Sequence, residues 1–540
     1  MHAYQRNRRG VALITVLFIV VVLLILIGSL LDLIPMELRD VAFTGYDNRA
    51  LYAADAGVES LIEGLQQKLA LGSGSLTAPD GTVSRYAASV LSTSTTCGQN
   101  TLKLVQSIGT SPAGDDRKVY AVVAQDTLSN YGLWVNNNPN GVYLVSGQTH
   151  YDGKIYLGGS QADPMLVDYI VGNNAIFDDQ ANFAGPVNWY NNGNQTSEPT
   201  QSNTQAWQAI NSAGYAKTTL GANAETYPGS FQSIQLANDA WGTPSGTTYP
   251  SPTSKTVYLN QQAPGSGSGG NLTTGIYVQG DSTITMASSA NGSSPSTMTW
   301  TFNPISRDSN SIVDPVTVAV NYTANTTVVT DTNTSKKSTY TGVPGATNQT
   351  SSNSGIVFDM GTIADVSGTY NGAYTLAVPD DGTINNNIYV ANNIMAHDDP
   401  QTDSNSTDEF GLYANDVYLD YGKAPTNVQI EAALVTGNLT EFNNNTNDGT
   451  FTVGTGWSNS CRCFGGTYDV SNLPLEGVVT LFGALAENIY GATYTWSGNQ
   501  HVTGWDKNFI DDPRFSTCPP PGSPVVPDAW HIVAWKDEGS

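Results

Sequence analysis

The sequence predicts an α+β chain: a long N-terminal helix with a small antiparallel sheet, then a large all-β domain folded as an irregular right-handed parallel β-helix. Three observations predict it. An apolar run flows into a pattern of helical period, a hairpin signature comes next, and the long remainder is short alternating segments ended by Gly, Asn or Asp. A β-sandwich array is the competing architecture for the remainder. The β-helix is preferred because the segments are short and unevenly spaced.

Met1 to Gly10 is a short basic leader with Arg6, Arg8 and Arg9, and Val11 to Leu31 is an unbroken apolar run. About 21 residues of helix suffice to cross a ~30 Å hydrocarbon layer. The arginines hold the leader on the cytoplasmic side, so the chain beyond the apolar run is exported. No A-x-A-like site closes the run, so a signal peptide cut downstream fits poorly. Instead Val41, Ala42, Tyr46, Ala50, Ala53, Ala54, Gly57, Val58, Leu61, Ile62, Leu65 and Leu69 recur at three- and four-residue steps. One helix from Val11 to Leu71 is roughly 90 Å long. Pro35 should kink it, Asp32 and Glu37 should mark the water interface, and Gly72, Ser73 and Gly74 should stop it.

RRG-VALITVLF together with Leu51 to Glu59 (LYAADAGVE) resembles the N-terminal segment of the PilX family of minor pilins. The resemblance implies a class III leader cut between Gly10 and Val11 by a prepilin peptidase. It also implies an inner-membrane span over 11–31, extracted into a filament by inner-membrane assembly machinery. The implied partners are other pilins and minor pilins. Glu59 matches the family block, while Asp55 stands where Glu is usual. Thr15 stands where major pilins carry a Glu that offsets a neighbouring subunit's free amine. A lone charge in hydrocarbon is costly, so its absence implies a minor or tip component.

Net charge is −25 and only 12% of residues are charged, with cation pairs at Arg117-Lys118 and Lys336-Lys337. An acidic surface repels phosphate backbones, which argues against sequence-independent nucleic-acid binding. Cys97, Cys461, Cys463 and Cys518 lie on the exported side, where disulfides persist. Cys461 and Cys463 flank one residue, poor geometry for pairing with each other. A bridge from that segment to Cys518, clamping the C-terminal tail, is preferred, with four free thiols as the alternative.

The expected organisation is leader 1–10, helix 11–71, small β region 72–128 and β-solenoid-like domain 129–540. TLKLVQSIGT, SPAGDD and RKVYAVVAQ read as a hairpin. GVYLVSG, GKIYLGG, NIYVANNIMA, GLYANDVYLD and GVVTLFGALAENIYG are among the strand-sized pieces beyond it. Stretches 192–205, 262–271, 286–296 and 321–355 are polar and read as surface loops or excursions. SGQTHYDGKIYL and GWDKNFIDDPRF resemble the opening and closing segments of uncharacterised domains attached to PilX-like helices. Gln148, Tyr151 and Asp152 depart from that pattern. A large domain on a pilin-like head is also similar in layout to tip pilins linked to DNA uptake, without a shared motif.

Chemistry-bearing motifs are sparse. His2, His150, His397, His501 and His531 show no metal-ligand spacing, and no P-loop, G-x-S-x-G or H-E-x-x-H occurs in a fitting context. Asp398, Asp399, Asp403, Asp408 and Glu409 form the richest acidic loop, a candidate for Ca²⁺ because hard oxygens suit it. A solvated acidic turn is the plainer reading, and no other cofactor is expected. Asp416, Asp420, Glu431, Asp506, Asp511 and Asp512 are candidate acids for polysaccharide chemistry. Arg514 beside Asp512 reads better as a structural clasp. Trp189, Tyr190, Trp207, Trp241, Trp457 and Trp505 suit either sugar stacking or end-cap packing.

The expected function is that of a non-enzymatic minor pilin-like component of a type IV pilus or related filament. It primes or caps assembly, starts as a single-pass inner-membrane protein and presents an adhesive β domain at the cell surface. The alternatives are a DNA receptor at a competence pilus tip and a surface-tethered polysaccharide enzyme.

Overall fold

A computed structural model describes residues 4–70, 72–96, 100–137, 232–243, 246–267, 270–290, 295–306, 308–344, 355–379, 387–403, 405–437, 449–454, 473–497 and 500–538, with short pieces between 142 and 220 and between 457 and 464. It forms two compact units. One comprises 1–93, 103–123 and 530–540, the other 94–102 and 124–529.

In the first unit, α1 runs from Tyr4 to Gln67, unbroken at Pro35 where a kink was expected. Val16 to Ile27 are twelve consecutive apolar side chains, each 39–67% exposed. Among the described residues no helix is long and apolar enough to cross a membrane. The expected span 11–31 has its side chains described only at 15–27 and 29. The C-terminal half behaves differently, burying Ala50, Ala53, Ala54, Val58, Leu61 and Ile62. At the helix end Lys68 takes φ +56° and the Leu69 N–H donates to the Gly64 carbonyl at 2.8 Å. That left-handed cap ends α1 before the glycines expected to stop it.

Beneath this half lie β1 (Ser73–Thr77), β2 (Val83–Thr96), β3 (Asn100–Thr110), β4 (Asp116–Thr127) and the C-terminal strand Val525–Asp537, in that order in one sheet. Alternation along β4 turns Val119, Ala121 and Val123 inward against Ala54, Val58, Leu61 and Ile62. Helix and sheet approach closely through glycine: a Cβ on Gly109 would lie 2.0 Å from the Ala50 carbonyl oxygen. Between β3 and β4, Gly114 at φ +95° lets the Ser111 N–H reach the Asp115 carbonyl at 2.8 Å.

The second unit is built on parallel ladders that align like side chains in rows. Ile276, Val357, Leu376, Leu412, Leu434 and Leu485 are consecutive partners across six strands. One residue along, Tyr277, Phe358, Ala377, Tyr413, Val435 and Ala486 belong to a second cluster on the opposite face, with Leu236, Ala237 and Ala240 of the helix Ser233–Trp241. A second ladder aligns Ile284, Val366, Val390, Leu419 and Val453. Because each row buries its whole length, single rows are worth several kcal/mol at about 25 cal/mol per Å².

The expected fold class is overturned. Strands make up 51% of the described residues, in curled half-barrel sheets, so the protein is mainly β rather than α+β. The small sheet is not self-contained, since the C-terminal strand completes it. Nor is the second unit a uniformly parallel right-handed β-helix. Strands Ser282–Ala290, Pro295–Pro304, Val316–Asn321, Thr326–Asp331 and Lys337–Thr341 form an antiparallel meander. Stretches 286–296 and 321–355, read as loops or excursions, thus supply strands. The parallel ladders equally exclude an all-antiparallel sandwich array. Alternation records which face a side chain takes, not the direction of the neighbouring strand, and so parallel and antiparallel pairing look alike in sequence.

Candidate functional site

The helix positions singled out by sequence divide along α1. Gly10, Val11 and Pro35 lie in the helix with their surroundings outside the described residues, and Thr15 is exposed. Asp55 accepts a hydrogen bond from Trp535 Nε1 at 3.0 Å. Partial burial raises the Asp55 carboxyl, Trp535 opposes the rise and Asp537 adds to it. Glu59 is exposed one turn on. It joins Ala56, Ser60, Ile62, Glu63, Gln66, Tyr86, Trp530, His531 and Ile532 around a groove of about 710 Å³ within the first unit.

The acidic loop puts its carboxylates to structural work. Asp399 Oδ1 accepts from the Gln401 N–H at 2.8 Å and Asp403 Oδ1 from the Asn405 N–H at 2.9 Å, each closing a turn. Asp408 accepts from the N–H groups of Gly372 at 2.6 Å and Asp398 at 2.9 Å. Burial raises the Asp408 carboxyl. Burial also pushes Glu409 well up, with Arg514 opposing. Among the described residues no three potential ligands gather to hold a metal ion.

Arg514 forms a fork on Asp512, Nε to Oδ1 at 2.9 Å and Nη2 to Oδ2 at 2.6 Å, while Nη1 donates to the Ser406 carbonyl at 2.7 Å. Asp512 also caps the short helix Pro513–Ser516 by accepting from the Arg514 N–H. The side-chain fork and the Ser406 bond join the D-P-R-F segment to the acidic loop. The other candidate acids are interior: Asp416, Asp420, Glu431 and Asp506 are at most 4% exposed. Glu431 accepts from the Ala396 N–H at 2.7 Å, and Asp416 from the N–H groups of Gly449 and Thr450 at 2.9 and 3.0 Å. Asp511 packs against Gly153. Trp505 is fully buried and Trp241 packs edge-on against Tyr258 and Tyr277. His397 shares a hydrogen bond with Ser288 at 2.8 Å.

Sequence reasoning missed a fully buried charged group. Lys507 is 0% exposed, donates to the Gly491 carbonyl at 2.7 Å and sits 3.8 Å above the Tyr490 ring. Burial lowers it to about 8 while Glu487 and Asp506 raise it. Burial raises Glu487 to about 7, against Lys507 and the N–H groups of Phe451 and Gly491. The signal was present: Trp505, Lys507 and Phe509 alternate, which aligns the lysine with two buried rings. Asp281, raised to about 7 by burial and then by Asp308, was also missed.

Cys518 is disulfide-bonded. Cys97 and Cys461 lie outside the described residues, and of Cys463 only the backbone is described. Trp207 lies outside the described residues, as do the side chains of Trp189, Tyr190, Trp457 and His501.

No family model matches the chain, and no curated protein matches it. Among solved structures, it is similar to the crystal structure of competence-associated pilin ComZ from Thermus thermophilus at 13% identity and a TM-score of 0.30. The alignment covers 91% of this chain and 97% of that one. A likeness of that size carries no argument about fold or function.

Proposed function

We propose that the chain is a minor pilin-like component of a type IV pilus or related filament, which displays its large β unit outside the cell. The observation that carries the reading is the twelve-residue apolar surface of Val16 to Ile27, exposed on all sides of α1. A face of that size does not stay in water, so lipid or a bundle of similar helices covers it. The basic leader sets its orientation, and removal of residues 1–10 leaves the apolar segment at the new amino end. The interior placement of the candidate acids supports display over polysaccharide chemistry.

The reading is tested by mass spectrometry of the native protein together with immunogold labelling of sheared fibres. A mature chain starting at Val11 and label on the fibres are expected. An intact leader, or fibres without label, contradicts the proposal. Gly10→Ala is expected to block both maturation and incorporation.

A further inference from the structure

The groove beside Glu59 has two chemically distinct sides. Ala56, Glu59, Ser60, Glu63 and Gln66 recur at three- and four-residue steps and so share one face of α1. Facing them are Tyr86 from β2 and Trp530, His531 and Ile532 from the C-terminal strand. Glu59 and Glu63 are exposed, and among the described residues Glu59 has neither an ion-pair nor a hydrogen-bond partner. Among the described residues Glu63 accepts only from Gln67 Nε2, at 2.9 Å. Ile532 is 38% exposed and Trp530 is half-buried. Two carboxylates one turn apart beside an indole and an isoleucine complement a cation on an apolar stem. They repel phosphate and carboxylate.

From this charge and shape we infer that the groove docks a segment of a neighbouring protein in which a lysine or arginine is flanked by apolar residues. The charged head meets Glu59 and Glu63, and the methylene stem lies against Trp530 and Ile532. A second copy of the chain is a poor occupant, because each carries a net charge of −25. The identity of the neighbour as a filament subunit rests on the function proposed above, whereas the chemistry of the groove does not.

The test uses the full chain in detergent micelles and a fluorescein-labelled peptide, acetyl-Leu-Lys-Leu-Arg-Leu-amide, read by fluorescence anisotropy. Its acidic counterpart, acetyl-Leu-Glu-Leu-Glu-Leu-amide, is the control. The basic peptide is expected to bind more weakly as salt rises, and the acidic one not to bind. The double variant Glu59→Gln, Glu63→Gln, altered only at exposed side chains, is expected to lose about tenfold in affinity with an unchanged melting temperature. Equal binding of the two peptides, or full affinity in the double variant, overturns the inference. In cells, a double variant that enters fibres as well as the wild type also overturns it and leaves the filament reading standing. Selective peptide binding by a wild-type protein absent from fibres has the opposite meaning, sustaining the groove and removing the filament.

Discussion

Trp535 Nε1 donates to Asp55 Oδ1 at 3.0 Å, joining residues 480 positions apart in the chain. The same C-terminal segment contributes Asp537, which pairs with Arg117, itself 3.1 Å from Asp47 on α1. The last strand, from Trp530 onward, is therefore part of the first unit. Trp535→Phe keeps a ring but removes the donor. It is expected to lower unfolding free energy by about 1 kcal/mol, the usual size for one exposed hydrogen bond. It should also raise the Asp55 carboxyl further, since the indole opposes the effect of burial. Denaturant midpoints and a pH titration of the side chain check the two expectations.

Buried carboxyls give the second unit an unusual pH profile. Glu487 is raised from 4.5 to about 7, Asp281 from 3.8 to about 7 and Asp239 from 3.8 to about 6, each chiefly by burial. A raised acid holds its proton in the folded state after the unfolded chain has released it. Stability is thus fully present below the unfolded value and falls as pH rises toward the folded one. Lys507, lowered from 10.5 to about 8, acts in the opposite sense at higher pH. Between those values the unfolded chain binds more protons, so stability recovers. Thermal midpoints are expected to fall from about pH 5 to 7 and rise again above about pH 8. Glu487→Gln should flatten the descending limb.

The Arg514 clasp predicts a large mutational cost. Asp512 is 2% exposed, and Glu409 nearby is also buried. Arg514→Ala removes the cation that offsets both, which typically costs about 3–5 kcal/mol for a buried pair. Arg514→Lys keeps the charge but cannot form the fork while donating to the Ser406 carbonyl, so it should fall between. Urea midpoints with an unchanged slope are the readout, and a neutral alanine variant refutes the clasp.

Several features are legible in the residues because they are local. The β3–β4 hairpin is implied by alternation around a Gly-Asp turn, and the buried stripe of α1 by its three- and four-residue steps. Pairing between distant segments is another matter. Nothing in VVPDAWHIVAWKD identifies β4 as its neighbour, because the choice depends on a helix face hundreds of residues earlier. Two parts of the antiparallel meander, within 286–296 and 321–341, read as loop from their composition. Thr, Ser and Asn look like loop, yet Met298, Trp300, Phe302, Val318 and Val329 suffice to bury one face. The acidic loop is ambiguous for a different reason. Asp and Asn are enriched both where cations bind and where turns need carboxylate acceptors, and the structure shows the turns.

Gly483 offers a test of the parallel stacking itself. It lies in the strand Leu475–Ile489 between Ala432 on one side and Asp511 on the other. Its φ is +146°, a conformation L side chains rarely adopt, and a Cβ there would come within 2.1 Å of the Ala432 carbonyl oxygen. Backbone, not a flexible side chain, would have to give way. Gly483→Ala is therefore expected to destabilise by more than about 1 kcal/mol, against the small gain alanine brings where the backbone accepts it. Gly81, also at positive φ but with nothing near its would-be Cβ, isolates the backbone contribution. If the two alanine variants unfold at midpoints displaced equally from wild type, the close approach of neighbouring strands contributes nothing, and the ladder is looser than described.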